Sequence, residues 1–329
     1  MTAIELCHLG RKCCFGVSFI AGMLISGCAA SPHSSADTGR HSLLTHWSTL
    51  TSVRVSARPD PLSVTARRPN FSGPLKLISP AAVAARGNYI YIADSGRRQI
   101  FRYDTGQQSM TPFADYAGSA LGNIAVASDF SLYVADINTQ KVLHFSADGR
   151  ELRPFENSLE MARPVAVVVD PVSGQVSVAD SLRNHVVVFN SLGRVLSVLR
   201  SDEGRSIEAM ASGPDGLYLV DRVGRKILVI GKDGRDLYTI GAGALKHPGA
   251  VAVDRFNRVF VSDSFDNTIK VFEQGKMLAS FPGGGAVPAG FNRITSLWLE
   301  QNMLYVADSM NARIQTFRIT PPQIKAPGS

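Results

Sequence analysis

A chain of 329 residues with 45% hydrophobic and 19% charged residues is long and apolar enough to build a sizeable core, which excludes a wholly disordered polymer. Its formal charge of +7 favours anionic surroundings without specifying a partner. The four cysteines, Cys7, Cys13, Cys14 and Cys28, all lie near the N-terminus, so the remainder has no thiols for a disulfide framework or an all-cysteine metal site.

The first segment reads as an export signal. Arg11 and Lys12 precede an uncharged run from Cys13 to Gly27 that is short for a membrane span but has the length of a signal-peptide core. Small residues Ser26 and Gly27 stand just before Cys28. The string Ile25-Ser26-Gly27-Cys28 resembles a bacterial lipobox, which implies cleavage after residue 27, lipidation of Cys28 and membrane attachment through that lipid. Ala29 after the cysteine resembles the outer-membrane class of such proteins. Removal of residues 1–27 leaves a net charge of +6. Residues 28–72, with "SPHSSADTG" and "ARPDPLS", read as a Ser/Thr/Pro-rich spacer.

From about residue 73 the chain repeats itself. "YIYIADS", "SLYVADI", "QVSVADS", "GLYLVDR", "RVFVSDS" and "MLYVADS" align on Asp94, Asp136, Asp180, Asp221, Asp263 and Asp308, at spacings of 42, 44, 41, 42 and 45 residues. Apolar residues alternate with period two before each aspartate, and most of the intervening positions are apolar as well, so both strand faces need cover. A small-residue strand precedes each copy, as in "PAAVAA" and "PGAVAVD", and one or two strands follow it. Six units of four strands predict an all-β, six-bladed propeller over residues 73–320. No fourth strand follows the last copy, so an N-terminal strand, either Leu62–Arg68 or Pro74–Ile78, is expected to close the ring. Residues 321–329 read as a disordered tail.

"HPGAVAVD…VFVSDSFDNTIKVF" and "LYVADSMNARIQTFRI" resemble NHL repeats. The resemblance covers about residues 80–320 and implies the same propeller. It also implies a wide range of functions: scaffolds, RNA-binding discs and a few axial-metal enzymes. NHL-type amidating lyases use several axial histidines on zinc, whereas here only His247, and neither His144 nor His185, falls on the predicted axial ring. Propeller lactonases hold calcium through axial carboxylates and amides, and this ring offers only Glu208 and Asn123 beside repelling arginines. Neither a metal nor another cofactor is therefore expected.

The predicted ligand ring at the start of the inner strands comprises Asn123, Arg163, Glu208, His247 and Arg293. The six repeated aspartates suit turn fixation better than a metal ring, since a motif present in every blade serves the blade. Turns on the same end carry Arg97, Arg98, Arg183, Arg222 and Arg225, a face suited to an anionic partner. The sequence thus favours a binding or scaffold module on an envelope lipoprotein, for a protein or an anionic polysaccharide. Export argues against nucleic acid. The alternative is a periplasmic lyase or lactonase working around His247 and Glu208.

Overall fold

A computed structural model describes residues 43–53, 74–116 and 120–322. The signal segment, Cys28, Leu62–Arg68 and the tail beyond 322 lie outside the described residues. The architecture is the predicted six-bladed propeller of antiparallel blades. The inner strands are Pro80–Arg86, Leu121–Val126, Pro164–Val169, Ile207–Gly213, Pro248–Val253 and Ile294–Glu300, for blades 1 to 6. Each contacts the next around the axis, and the sixth contacts the first, so the ring is closed.

Second strands such as Val259–Asp263 are buried throughout, as their two apolar faces require. The core is not one mass. It consists of six clusters, one in each seam between neighbouring blades. Phe260, Leu304 and Phe317 fill the seam between blades 5 and 6, and Tyr305, Ile314, Val83 and Phe101 fill the closing seam between blades 6 and 1. Alanines such as Ala82, Ala84 and Ala252 are placed where the inner strands crowd together. Gly122 serves the same end, because a Cβ there would meet the Val165 carbonyl oxygen at 2.0 Å.

The closing strand differs from both sequence candidates. Leu44–Leu50 pairs antiparallel with Arg313–Ile319, from Leu44 opposite Ile319 to Leu50 opposite Ile314. This segment lies inside the stretch read as spacer. Three of its seven residues are hydrophobic, but only Leu44 is buried. Most of what it gains comes from backbone pairing with an edge that would otherwise be open. Of the candidate Pro74–Ile78, Leu75–Lys76 forms a small separate ladder with Ser52–Val53. Blade 2 also departs from the pattern. Among the described residues it has three strands, and its outer edge is met by bridges from Val142 to Phe155 and from Phe145 to Glu151 and by the Leu152 N–H on the His144 carbonyl.

Every inner strand is bulged just after its start. Register shifts fall between Pro80 and Ala82, Leu121 and Ile124, Pro164 and Ala166, Ile207 and Ala209, Pro248 and Val251, and Ile294 and Ser296. A bulge bends the strand and re-aims the extra residue, here at the entry to the axis.

Candidate functional site

The propeller has two ends. The upper end holds the starts of the inner strands and the four-residue turns between second and third strands. The lower end holds the close of the inner strands.

The repeated aspartates organise the upper end. Asp180 accepts the N–H groups of Ala162 and Arg163, at 2.6 and 2.5 Å, and those of Leu182 and Arg183, at 3.1 and 2.8 Å. Asp94, Asp221 and Asp263 likewise tie the loop entering their blade to the turn that follows them. Blade 5 adds Lys270, whose Nζ lies 2.6 Å from Asp263. Burial pushes Asp263 up, but the bonds from Lys270 and the Lys246, His247 and Phe265 N–H groups outweigh it, and its pKa is lowered. In blade 6 the Arg313 Nε lies 2.7 Å from Asp308, and its other guanidinium nitrogens hold the carbonyls of Ala286, Val287 and Gly290. The aspartates are therefore structural, as their repetition suggests.

The last residue of each turn, Arg98, Gln140, Asn184, Arg225, Asn267 or Ala312, is left-handed, with φ between 51° and 58°. This reverses the chain in four residues and points the middle of each turn outward. Leu182, Val223, Phe265 and Met310 occupy the second turn position in blades 3 to 6, with 71%, 64%, 59% and 65% of their surface exposed. Composition alone does not mark them. The available signal was a large apolar residue at the same turn position in four successive repeats, where blades 1 and 2 have Gly96 and Asn138.

The predicted arginines occupy these same turns. Arg98, Arg183, Arg222 and Arg225 are exposed, and Arg97 is half-buried with its Nε 2.8 Å from the Lys76 carbonyl. Asp266 is the one acidic residue within the six turns, and it pairs with Lys270 at 3.1 Å.

The predicted axial ring is not brought together as a unit. Arg163, His247 and Arg293 are exposed at the upper rim, and among the described residues their side chains make no hydrogen bond or ion pair. The His247 ring stands edge-on to Phe265 at 5.7 Å. Glu208 pairs with Arg222 at 3.2 Å. Asn123 lies deeper. Its amide bonds both to the N–H of Val167 at 2.6 Å and to the Val167 carbonyl at 3.3 Å, which joins blades 2 and 3. Among the described residues no three His, Cys, Asp or Glu side chains are grouped to hold a metal ion.

No family model matches the chain, and no curated protein matches it in sequence. Solved structures do. A Bacteroides thetaiotaomicron protein of unknown function superposes with a TM-score of 0.62 at 15% identity, over 83% of this chain and 77% of that one. Virginiamycin B lyase from Staphylococcus aureus superposes with a TM-score of 0.58 at 11% identity, over 74% of this chain and 95% of the lyase. A chain of a nidogen/laminin complex gives 0.55 at 17% identity, over 62% of this chain and 80% of that one. At such identities the likeness is one of fold, and that fold serves both an enzyme and a protein complex.

The axial cavity lies toward the lower end. It measures about 180 Å³ and is lined by residues of all six inner strands, among them Arg86, Asn123, Met210 and Trp298. The Trp298 Nε1–H donates to the Ala85 carbonyl at 2.8 Å. The lower loops are more acidic than the upper turns, but several of their carboxylates are engaged: Asp170 with Lys232 at 3.1 Å and Asp254 with Arg258 at 2.6 Å.

Proposed function

We propose that the chain is a lipid-anchored envelope protein of the outer membrane, whose propeller binds an anionic protein or acidic polysaccharide through its upper end. One observation carries the reading: the turns of that end present exposed apolar tips at the same position in blades 3 to 6, with arginines in the turns of blades 1, 3 and 4, so that blades 3 and 4 carry both. Arginine, Phe265 and Met310 are of the types enriched at protein interfaces, and exposed apolar tips give a pure polyanion nothing to contact, which together favour a protein surface. The signal-like N-terminus with Cys28 supports delivery to the envelope. The lyase or lactonase alternative has less support, because Glu208 is engaged by Arg222 and no bond joins it to His247.

Two experiments test this. Envelopes solubilised in detergent are passed over the wild-type protein and over the triple variant Arg97→Glu, Arg183→Glu, Arg225→Glu. The partner is expected on the first only, and equal capture by both would overturn the charged-face reading. Mass spectrometry of the mature N-terminus tests the anchor: a lipidated Cys28 is expected, and an unmodified Cys28 in a mature chain refutes it.

A further inference from the structure

We propose that the axial cavity at the lower end is a binding site for a small apolar carboxylate, with the Arg86 guanidinium as its counter-ion. The site lies at the opposite end from the partner face and does not depend on it. Its walls come from the inner strands, with Val251, Leu297 and Trp298 among them. A cavity of about 180 Å³ is larger than an engineered cavity of roughly 150 Å³ that binds benzene, so an aromatic ring or short acyl chain with one carboxylate fits by volume.

Charge selects the ligand class. Arg86 ends the inner strand of blade 1 and is half-buried at the cavity. Among the described residues its guanidinium has no hydrogen bond or ion pair. Glu300, which ends the neighbouring inner strand, forms no ion pair with it among the described residues. Two carboxylates of the lower loops are already engaged. Asp170 is held by Lys232, and Asp254 by Arg258. A half-buried guanidinium beside a cavity of mixed polar and apolar lining recognises a carboxylate in the paired geometry that arginine favours. Asn123 is committed to the Val167 peptide and Trp298 to Ala85, so neither polar group competes for the ligand.

Trp298 provides the readout. The chain has two tryptophans, and the other, Trp47, is exposed on the closing strand. In a Trp47→Phe background, made in the chain from His41 onward, which forms one compact unit containing every blade, Trp298 is the single indole. Benzoate and hexanoate are titrated against its fluorescence, with benzamide as the uncharged match. Saturable changes are expected with both carboxylates, and benzamide is expected to bind at least about tenfold more weakly. Arg86→Gln should erase that preference while Arg86→Lys keeps most of it. Arg86 ends a strand and, among the described residues, its side chain carries no internal bond, so unchanged thermal midpoints in both variants are expected and confirm that the fold is retained. The proposal is overturned if neither carboxylate saturates, if benzamide binds as well as benzoate, or if Arg86→Gln binds benzoate as wild type does.

Discussion

Asn123 and Val167 are joined twice across the seam between blades 2 and 3: the asparagine amide takes the valine N–H at 2.6 Å and gives to its carbonyl at 3.3 Å. The inner strand of a blade pairs on one side only, so its free edge leaves backbone groups at the axis. Asn123 satisfies both groups of one residue. Asn123→Ala is therefore expected to cost about 1–3 kcal/mol, the penalty for stranding half-buried backbone groups. Asn123→Asp keeps the acceptor and loses the donor, and should fall between. Thermal unfolding of the three proteins checks the order, and an Asn123→Ala variant as stable as wild type contradicts it.

The aspartate staples make a second prediction. Asp180 is fully buried and accepts four N–H groups from two segments. Asp180→Ala should destabilise by about 2–4 kcal/mol, because charge-assisted bonds are lost and the entry loop and the turn separate. Proteolysis should then cut first near residues 158–163. Axial ligand binding at Arg86, at the opposite end, should survive in whatever fraction stays folded.

These staples were legible in the sequence because they recur. Six aspartates at nearly constant spacing, each after an alternating apolar strand, specify blade number, strand order and the role of the carboxylate together. The closing strand was not legible. Leu44–Leu50 has one buried side chain, and its register is dictated by Arg313–Ile319 at the far end of the chain. Hydrophobic pattern reports burial, and a strand held mainly by backbone pairing writes little of it. The axial ring was half legible. Positions were assigned to the axis by alignment, but each inner strand bulges there, and local partners such as Arg222 for Glu208 and Val167 for Asn123 depend on neighbouring blades.

The left-handed turn ends predict an asymmetry between asparagine and alanine. Asn184 holds φ at 55°, donates to the Gly204 carbonyl at 2.6 Å and accepts from the Ile207 N–H at 3.1 Å, linking blade 3 to blade 4. Asn184→Ala loses both bonds and the residue type that tolerates this region, so a cost of about 2 kcal/mol is expected. Ala312 occupies the equivalent place in blade 6 at φ 51° without such bonds. Ala312→Asn should raise stability by about 0.5 kcal/mol. Chemical denaturation with unchanged slope tests both.

Asp170 makes stability depend on pH. Bonds from the Ser173 N–H and side chain, from Val172 and from Lys232 outweigh desolvation and lower its pKa from 3.8 to about 2. The unfolded chain therefore takes up the proton first. The stability this group supplies is full above about pH 4 and is lost as pH falls through about 2. Wild type and Asp170→Asn should differ most above pH 4 and converge near pH 2, measured as the gap between their denaturation midpoints. A gap that widens on acidification would contradict the sign.

The upper face separates charge from apolar contact. Arg183 and Arg225 are exposed on turns, and so are Leu182 and Phe265, so changing any of these should move the fold by less than about 0.5 kcal/mol per site, whereas changing Arg97 also loses its bond to the Lys76 carbonyl. Exposed charges are screened beyond about 8–10 Å at physiological ionic strength, so the arginine contribution must weaken as salt rises, while apolar contact must not. Reversing the three arginines to glutamate should weaken partner binding strongly at low salt and much less at high salt. Leu182→Ser with Phe265→Ser should weaken it by a similar factor at both. The measurement is affinity for the captured partner at two salt concentrations for the three proteins. A salt-independent arginine effect would mean that those residues act through packing or shape, and an apolar pair without effect would leave a purely electrostatic face and shift the expected partner from a protein to an acidic polymer.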